Sequence, residues 1–151
     1  MKCVIQRVRR ASVHVGVELV SEIGVGLLVL AAVEKGDARQ MIVEAAKKIR
    51  ELRIFGDEAG KMNRDVAEAG GAILAVSQFT LAGSLARGRR PSFDNAEEPN
   101  RARELFEQLR EGAQREPAAA EEAADPREEV LLVGQVHGDL QPGLGARQLA
   151  G

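Results

Sequence analysis

Tryptophan and tyrosine are missing from this 151-residue chain, and four phenylalanines are its only aromatic residues. Single-stranded RNA readers lay bases on aromatic platforms, so a platform of that kind is not expected here. Cysteine is almost as scarce: Cys3 has no partner for an internal disulfide, and its apolar surroundings mark it as a small packed thiol of a reducing compartment. His14 and His137 lie far apart, so no metal-ligand spacing exists, and neither a metal nor any other cofactor is expected. No apolar run approaches the length of a membrane span, and no signal-peptide pattern follows the basic residues near the start. A cytoplasmic protein with no membrane partner is the expectation. A net charge of −2 excludes a global field for polyanions, so any nucleic acid would have to be met by a local patch.

What is present organises itself around residues 72–81. A short apolar run, launched from Gly70-Gly71, reads as a buried strand and then turns polar at Ser77, Gln78 and Thr80, with Gly83 allowing a turn soon after. Burying unpaired polar groups costs roughly 1–3 kcal/mol each. Either these side chains cap a turn and are satisfied by neighbouring backbone, or they line a pocket at the strand's end.

Around this stretch, residues 1–8 and 11–15 read as strands separated by Arg9 and Arg10, and 18–23 as a further short strand. Residues 27–33 are continuously apolar, as in a central strand buried on both faces. Asp37 and Gln40 form a capping-box pattern ahead of Ile42, Ala45, Ala46, Ile49 and Leu52 at helical spacing. A short strand at 52–55 and a turn at 56–60 follow. Residues 86–93 form a glycine- and proline-broken loop carrying Arg87, Arg89 and Arg90: a solvated charge run or, alternatively, a phosphate clamp. A second helix is predicted from about Asn100 to Gly112, with Ala102, Leu105, Phe106 and Leu109 on one face. Residues 113–129 read as a charged Ala/Glu-rich linker, 130–136 as a last strand, and the glycine-rich tail from 138 has little strand character. The length fits one domain, 1–151.

Five blocks, in order, carry a resemblance: Val4-Ile5-Gln6-Arg7-Val8, Gly26-Leu27-Leu28-Val29-Leu30, Lys61-Met62-Asn63, Ser77-Gln78-Phe79-Thr80-Leu81 and Arg89-Arg90-Pro91-Ser92-Phe93. Together they resemble the D-aminoacyl-tRNA deacylase (D-tyrosyl-tRNA deacylase) family across residues 1–112. The resemblance implies a single-domain α/β protein, with barrel-like or sandwich β-sheets and flanking helices. It also implies a homodimer acting on aminoacyl-tRNA and not on DNA. The implied reaction is hydrolysis of the ester joining a D-amino acid, or mischarged glycine, to the terminal adenosine of tRNA. The family is thought to use the terminal ribose 2′-hydroxyl, with backbone donors at the positions of Phe79 and Thr80. An older family proposal makes Thr80 a nucleophile; a positioning role is favoured here, because no sequence neighbour offers to activate its hydroxyl. Gln78 would then bond the adenosine or aminoacyl group, and Ser77 would support the strand end. Arg7, Met62, Arg87, Arg89 and Arg90 are the implied substrate contacts.

The family's second signature, Asn-x-Gly-Pro-Val-Thr, supplies a Gly-cis-Pro pair that excludes L-amino acids and that the arginine at the position of Arg7 braces. In register it would fall at 146–151, which share none of its diagnostic residues. Residues 130–151 are therefore divergent. The alternative function is a tRNA-binding homologue of the same fold with impaired catalysis.

Overall fold

The computed structural model describes residues 1–86, 88–114 and 135–140. Arg87, residues 115–134 (most of the expected linker and the start of the last expected strand) and the tail from 141, with the positions of the absent signature, lie outside them.

One long strand, β1 (Lys2–Val15), runs through both of the first two expected strands. Its first half pairs antiparallel with β3 (Gly26–Ala32), from Lys2↔Ala32 to Val8↔Gly26. Its second half pairs with β2 (Glu18–Ile23), from Ala11↔Ile23 to Val15↔Glu18. β3 pairs parallel with β6 (Ala72–Ser77), giving the order β2-β1-β3-β6. The ends of that order, β2 and β6, also touch, so the sheet curls into a half-barrel. Glycine is required where β3 and β6 begin, because a Cβ on Gly26 would lie 1.9 Å from the Ala72 carbonyl oxygen.

Side-chain alternation along the strands divides the core in two. Leu27, Val29 and Ala31, with Cys3, Ile5, Ile73 and Ala75, meet helices α1 (Arg39–Arg50) and α2 (Pro99–Gln114) through Ile42, Ala46, Ile49, Leu105, Phe106 and Leu109. Val8, Ala11, Val13, Leu28, Leu74 and Val76 form the second cluster, inside the curl. The two-sided burial expected of β3 is found.

Several expectations are corrected. Asp37 does not cap α1: Ala38 holds that position without a side-chain bond, and Gln40 bonds Glu44. The Asp37 carboxylate is buried and accepts the Glu34 N–H at 2.8 Å and the Met1 amine at 2.6 Å, partners that outcompete a helix end. α2 continues through Gly112 to Gln114, because Gly112 marks a helix crossing: a Cβ there would lie 2.8 Å from the Ala46 Cβ. The Glu98 carboxylate accepts the Asn100 and Arg101 N–H groups at the start of that helix. The strand expected at 52–55 is displaced: β4 (Phe55–Gly56) pairs with β5 (Met62–Arg64) across the turn built on Asp57. Finally, of the strand expected at 130–136 only 135–136 are described; they open β7 (Gln135–Leu140), which runs on into the tail expected to have little strand character, Gly138 pairing with Ala11 and Leu140 with Val8 of β1.

Candidate active site

The apolar body of β6 holds its end in place. Ser77 is the last rung of the parallel ladder, opposite Ala31, and the Gln78 N–H donates to the Ala31 carbonyl at 2.8 Å. The chain then leaves the sheet as a 3₁₀ turn, Phe79–Ala82, instead of continuing as a strand to 81. Ala82 is fully buried and pins this turn, while Ser77, Phe79 and Thr80 face solvent and Gln78 is half-buried. The polar side chains are thus neither sealed in the core nor spent on capping; the turn has no side-chain cap.

Within the turn, the Leu81 N–H bonds to the Gln78 carbonyl and the Gly83 N–H to the Thr80 carbonyl. The N–H groups of Phe79 and Thr80 precede the first of these rungs and stand outside the ladder. Two adjacent backbone donors on a rigid turn can stabilise charge developing on a carbonyl oxygen. The Gln78 side-chain amide donates to the Thr80 hydroxyl oxygen. That contact uses the oxygen as an acceptor and leaves its proton to be donated. Among the described residues no carboxylate, histidine or lysine bonds to Thr80. Burial pushes the Cys3 thiol above the ordinary value of 9.0, which holds it protonated.

The loop after the turn is a small hairpin. Ser84 and Ser92 exchange backbone bonds at 2.8 and 2.9 Å, with Arg89 and Arg90 exposed beyond them. Residues 95–97 are tied to the end of β3 through Lys35 N–H to Asn95 O and Glu97 N–H to Val33 O. Phe93, between these two anchors, meets Phe79 with ring centroids 5.5 Å apart. Sequence reasoning did not single out Phe93 as a site residue; its place in the Arg-Arg-Pro-Ser-Phe block was the available signal.

The structure therefore brings together Ser77, Gln78, Phe79, Thr80, Phe93 and the base of the loop bearing Arg89 and Arg90. It places Arg7 elsewhere in the subunit. Arg7 pairs with Leu27, opposite Ile73, four residues along β6 from Ser77, or about 13 Å at strand rise. Its guanidinium donates to the Ile54 carbonyl at 2.5 Å, and its Nε is buried without a partner among the described residues. Met62 is exposed on β5, beyond Ile54 in the same hairpin region. Among the described residues no group of His, Cys, Asp and Glu side chains could hold a metal, and no helix is long and apolar enough to cross a membrane.

The described residues thus present a curled α/β sheet with a polar strand end rich in hydrogen-bonding groups. Residues 4–124 match the family described as D-Tyr-tRNA(Tyr) deacylase. A D-aminoacyl-tRNA deacylase of Pelobacter propionicus is 57% identical over 107 residues, covering 71% of this chain and 74% of that protein. The solved structure of a "c-Myc DNA Unwinding Element Binding Protein" is 40% identical, with a TM-score of 0.68 over 74% of this chain and 77% of that one. A "probable eukaryotic D-amino acid tRNA deacylase", 15% identical, shares the fold with a TM-score of 0.68 over 92% of this chain and 93% of its own. The chain belongs to the D-Tyr-tRNA(Tyr) deacylase family.

Proposed function

We propose that this protein hydrolyses the ester of D-aminoacyl-tRNA, and of mischarged glycyl-tRNA, to free amino acid and tRNA, as a cytoplasmic homodimer. The observation that carries the reading is the end of β6: unladdered Phe79 and Thr80 N–H groups beside the Gln78–Thr80 side-chain pair. The family membership and the names of its relatives support the substrate class.

In this reading the ester carbonyl oxygen accepts the Phe79 and Thr80 N–H groups, and Thr80 donates its hydroxyl proton to the substrate under the control of Gln78. Water adds to the carbonyl carbon, assisted by the terminal 2′-hydroxyl of the tRNA. The acyl–oxygen bond then breaks, and the departing ribose oxygen takes up a proton. Ser77 supports the strand end. Arg89 and Arg90, with Arg87, meet phosphates of the acceptor arm through charge. Met62 contributes a flexible apolar contact. The homodimer is what membership of the family implies.

The test is deacylation of D- and L-aminoacyl-tRNA by the purified protein. Rapid loss of the D-ester supports the reading; retention of both esters overturns it. A second reading, binding without turnover, is favoured by the divergence of residues 130–151 and by the relative described as a DNA-element binding protein. It predicts tRNA retention on a filter with neither ester cleaved.

A further inference from the structure

The chain leaving β3 holds more than the sheet. The Ala31 carbonyl accepts the Gln78 N–H, the Val33 carbonyl accepts the Glu97 N–H, and the Lys35 N–H donates to the Asn95 carbonyl at 2.9 Å. One strand end thus carries both the turn bearing Thr80 and the foot of the hairpin bearing Arg89 and Arg90. Residues 34–37 form a tight turn, closed by the Asp37 N–H on the Glu34 carbonyl at 3.1 Å, and Gly36 takes the left-handed backbone, φ +91°, that its third position favours. This turn is locked from behind. The Asp37 carboxylate, 4% exposed, accepts the Glu34 N–H and the Met1 amine, while Glu34 pairs with the same amine at 3.3 Å and with Lys2 at 3.1 Å. The remaining charged side chain of the turn is spent differently. The Lys35 ammonium reaches across 59 residues of sequence and donates to the Asp94 carbonyl at 2.7 Å.

We infer that Lys35 is a positioning residue, whose ammonium and amide fix residues 94–95 to the end of β3 and so set where the arginine hairpin stands against the end of β6. The inference rests on the deacylase reading for its consequence in turnover, and adds to it what keeps the RNA-facing loop in register with the ester-facing turn. The Ser84–Ser92 bridge closes the hairpin on itself, but bonds within a hairpin do not decide where it points. Bonds to the sheet end do, and of those at Asp94, Asn95 and Glu97 the Lys35 ammonium makes the one nearest the hairpin. A hydrogen bond from a charged donor is also stronger than one between neutral groups. Phe93, one residue before the Asp94 carbonyl, is thereby held where its ring meets Phe79, 5.5 Å between centroids. Lys35 is a cation placed on an uncharged backbone oxygen, and its reach is useful only because the Asp37 clasp keeps the turn from swinging.

The experiment sets Lys35→Met, which keeps the stem and removes the donor, against Lys35→Arg, which keeps a cationic donor. Trypsin cleavage of the folded protein between Arg89 and Arg90, identified by the mass of the fragment ending at Arg89, reports the hairpin directly. Lys35→Met is expected to speed that cleavage several-fold with the unfolding midpoint unchanged. It should also raise KM for D-aminoacyl-tRNA about fivefold, the worth of one hydrogen bond, with little change in kcat. Lys35→Arg should restore both values. In a protein already carrying Arg89→Ala and Arg90→Ala, Lys35→Met should add no further KM penalty, because the loop no longer presents what Lys35 places. Unchanged cleavage in Lys35→Met would overturn the proposal, as would faster cleavage accompanied by a lower unfolding midpoint. A full additional KM penalty in the double-arginine background would overturn it too and make Lys35 a phosphate contact in its own right. Absence of hydrolysis by the unaltered protein would overturn the deacylase reading instead, and trypsin cleavage still decides the role of Lys35 in that case.

Discussion

The body of β6 and the turn that follows it lie one after the other and behave differently. From Ala72 to Val76 every residue is apolar, Leu74 and Val76 are buried inside the curl, and Ile73 and Ala75 pack toward the helices. From Ser77 to Thr80 the chain turns largely solvent-facing, and the N–H groups of Phe79 and Thr80 precede the first rung of the turn. The first gives the second a fixed platform, and it can be argued wholly from burial. The second gains little from burial and is understandable only as a surface for something else.

The comparison can be broken most severely from the core side. Phe106→Ala should destabilise the protein by about 3–5 kcal/mol, since it removes a nearly buried ring between the helices and the sheet. Thermal or urea unfolding reads this, and the fraction that remains folded should keep its kcat. At the strand end the pattern should invert. Gln78→Ala is expected to leave the unfolding midpoint within experimental scatter while lowering kcat/KM by roughly tenfold for each hydrogen bond lost, to Thr80 and to substrate. A comparable fall in stability would mean that Gln78 belongs to the fold. Arg89→Ala and Arg90→Ala should each weaken tRNA binding with little regard to the amino acid, and each should reduce the slope of log affinity against log salt by about one.

The effect confined to the narrowest range of conditions should come from a surface group distant from β6. The Asp57 carboxylate accepts the Asn63 side-chain amide and the Lys61 and Ala59 N–H groups, and Arg64 adds charge, so its carboxyl titrates below the usual 3.8. With the folded value depressed, its contribution is complete above pH 3.8 and disappears as pH falls through the lower folded value. Asp57→Asn should therefore flatten the acid limb of the stability curve in that window and leave neutral-pH activity alone.

Periodicity made much of this legible in the sequence. The apolar run of β3, the helical spacing of Ile42, Ala46 and Ile49, and that of Leu105, Phe106 and Leu109 each depend on local alternation, which a sequence displays directly. Ser77, Gln78 and Thr80 stood out because polar residues at the end of an apolar strand need a reason. What was hidden depended on distant partners. Asp37 carries the right side chain for a helix cap, but the Met1 amine and the Glu34 N–H claim it. Gly112 resembled a helix end and marks a helix crossing, which Ala46 decides. Strand β7 contains Gly138, a poor strand former held by its pairing with Ala11 of β1. Phe93 reaches Phe79 only because the Ser84–Ser92 bridge folds the loop back.

Single-turnover deacylation of D-aminoacyl-tRNA by Thr80→Ala bears most directly on whether this strand end acts by holding its substrate. Retained backbone N–H donors predict a modest, few-fold slowing with tRNA affinity and fold intact. Complete loss of cleavage, with the same affinity and fold, would contradict the account and make the Thr80 oxygen a covalent participant.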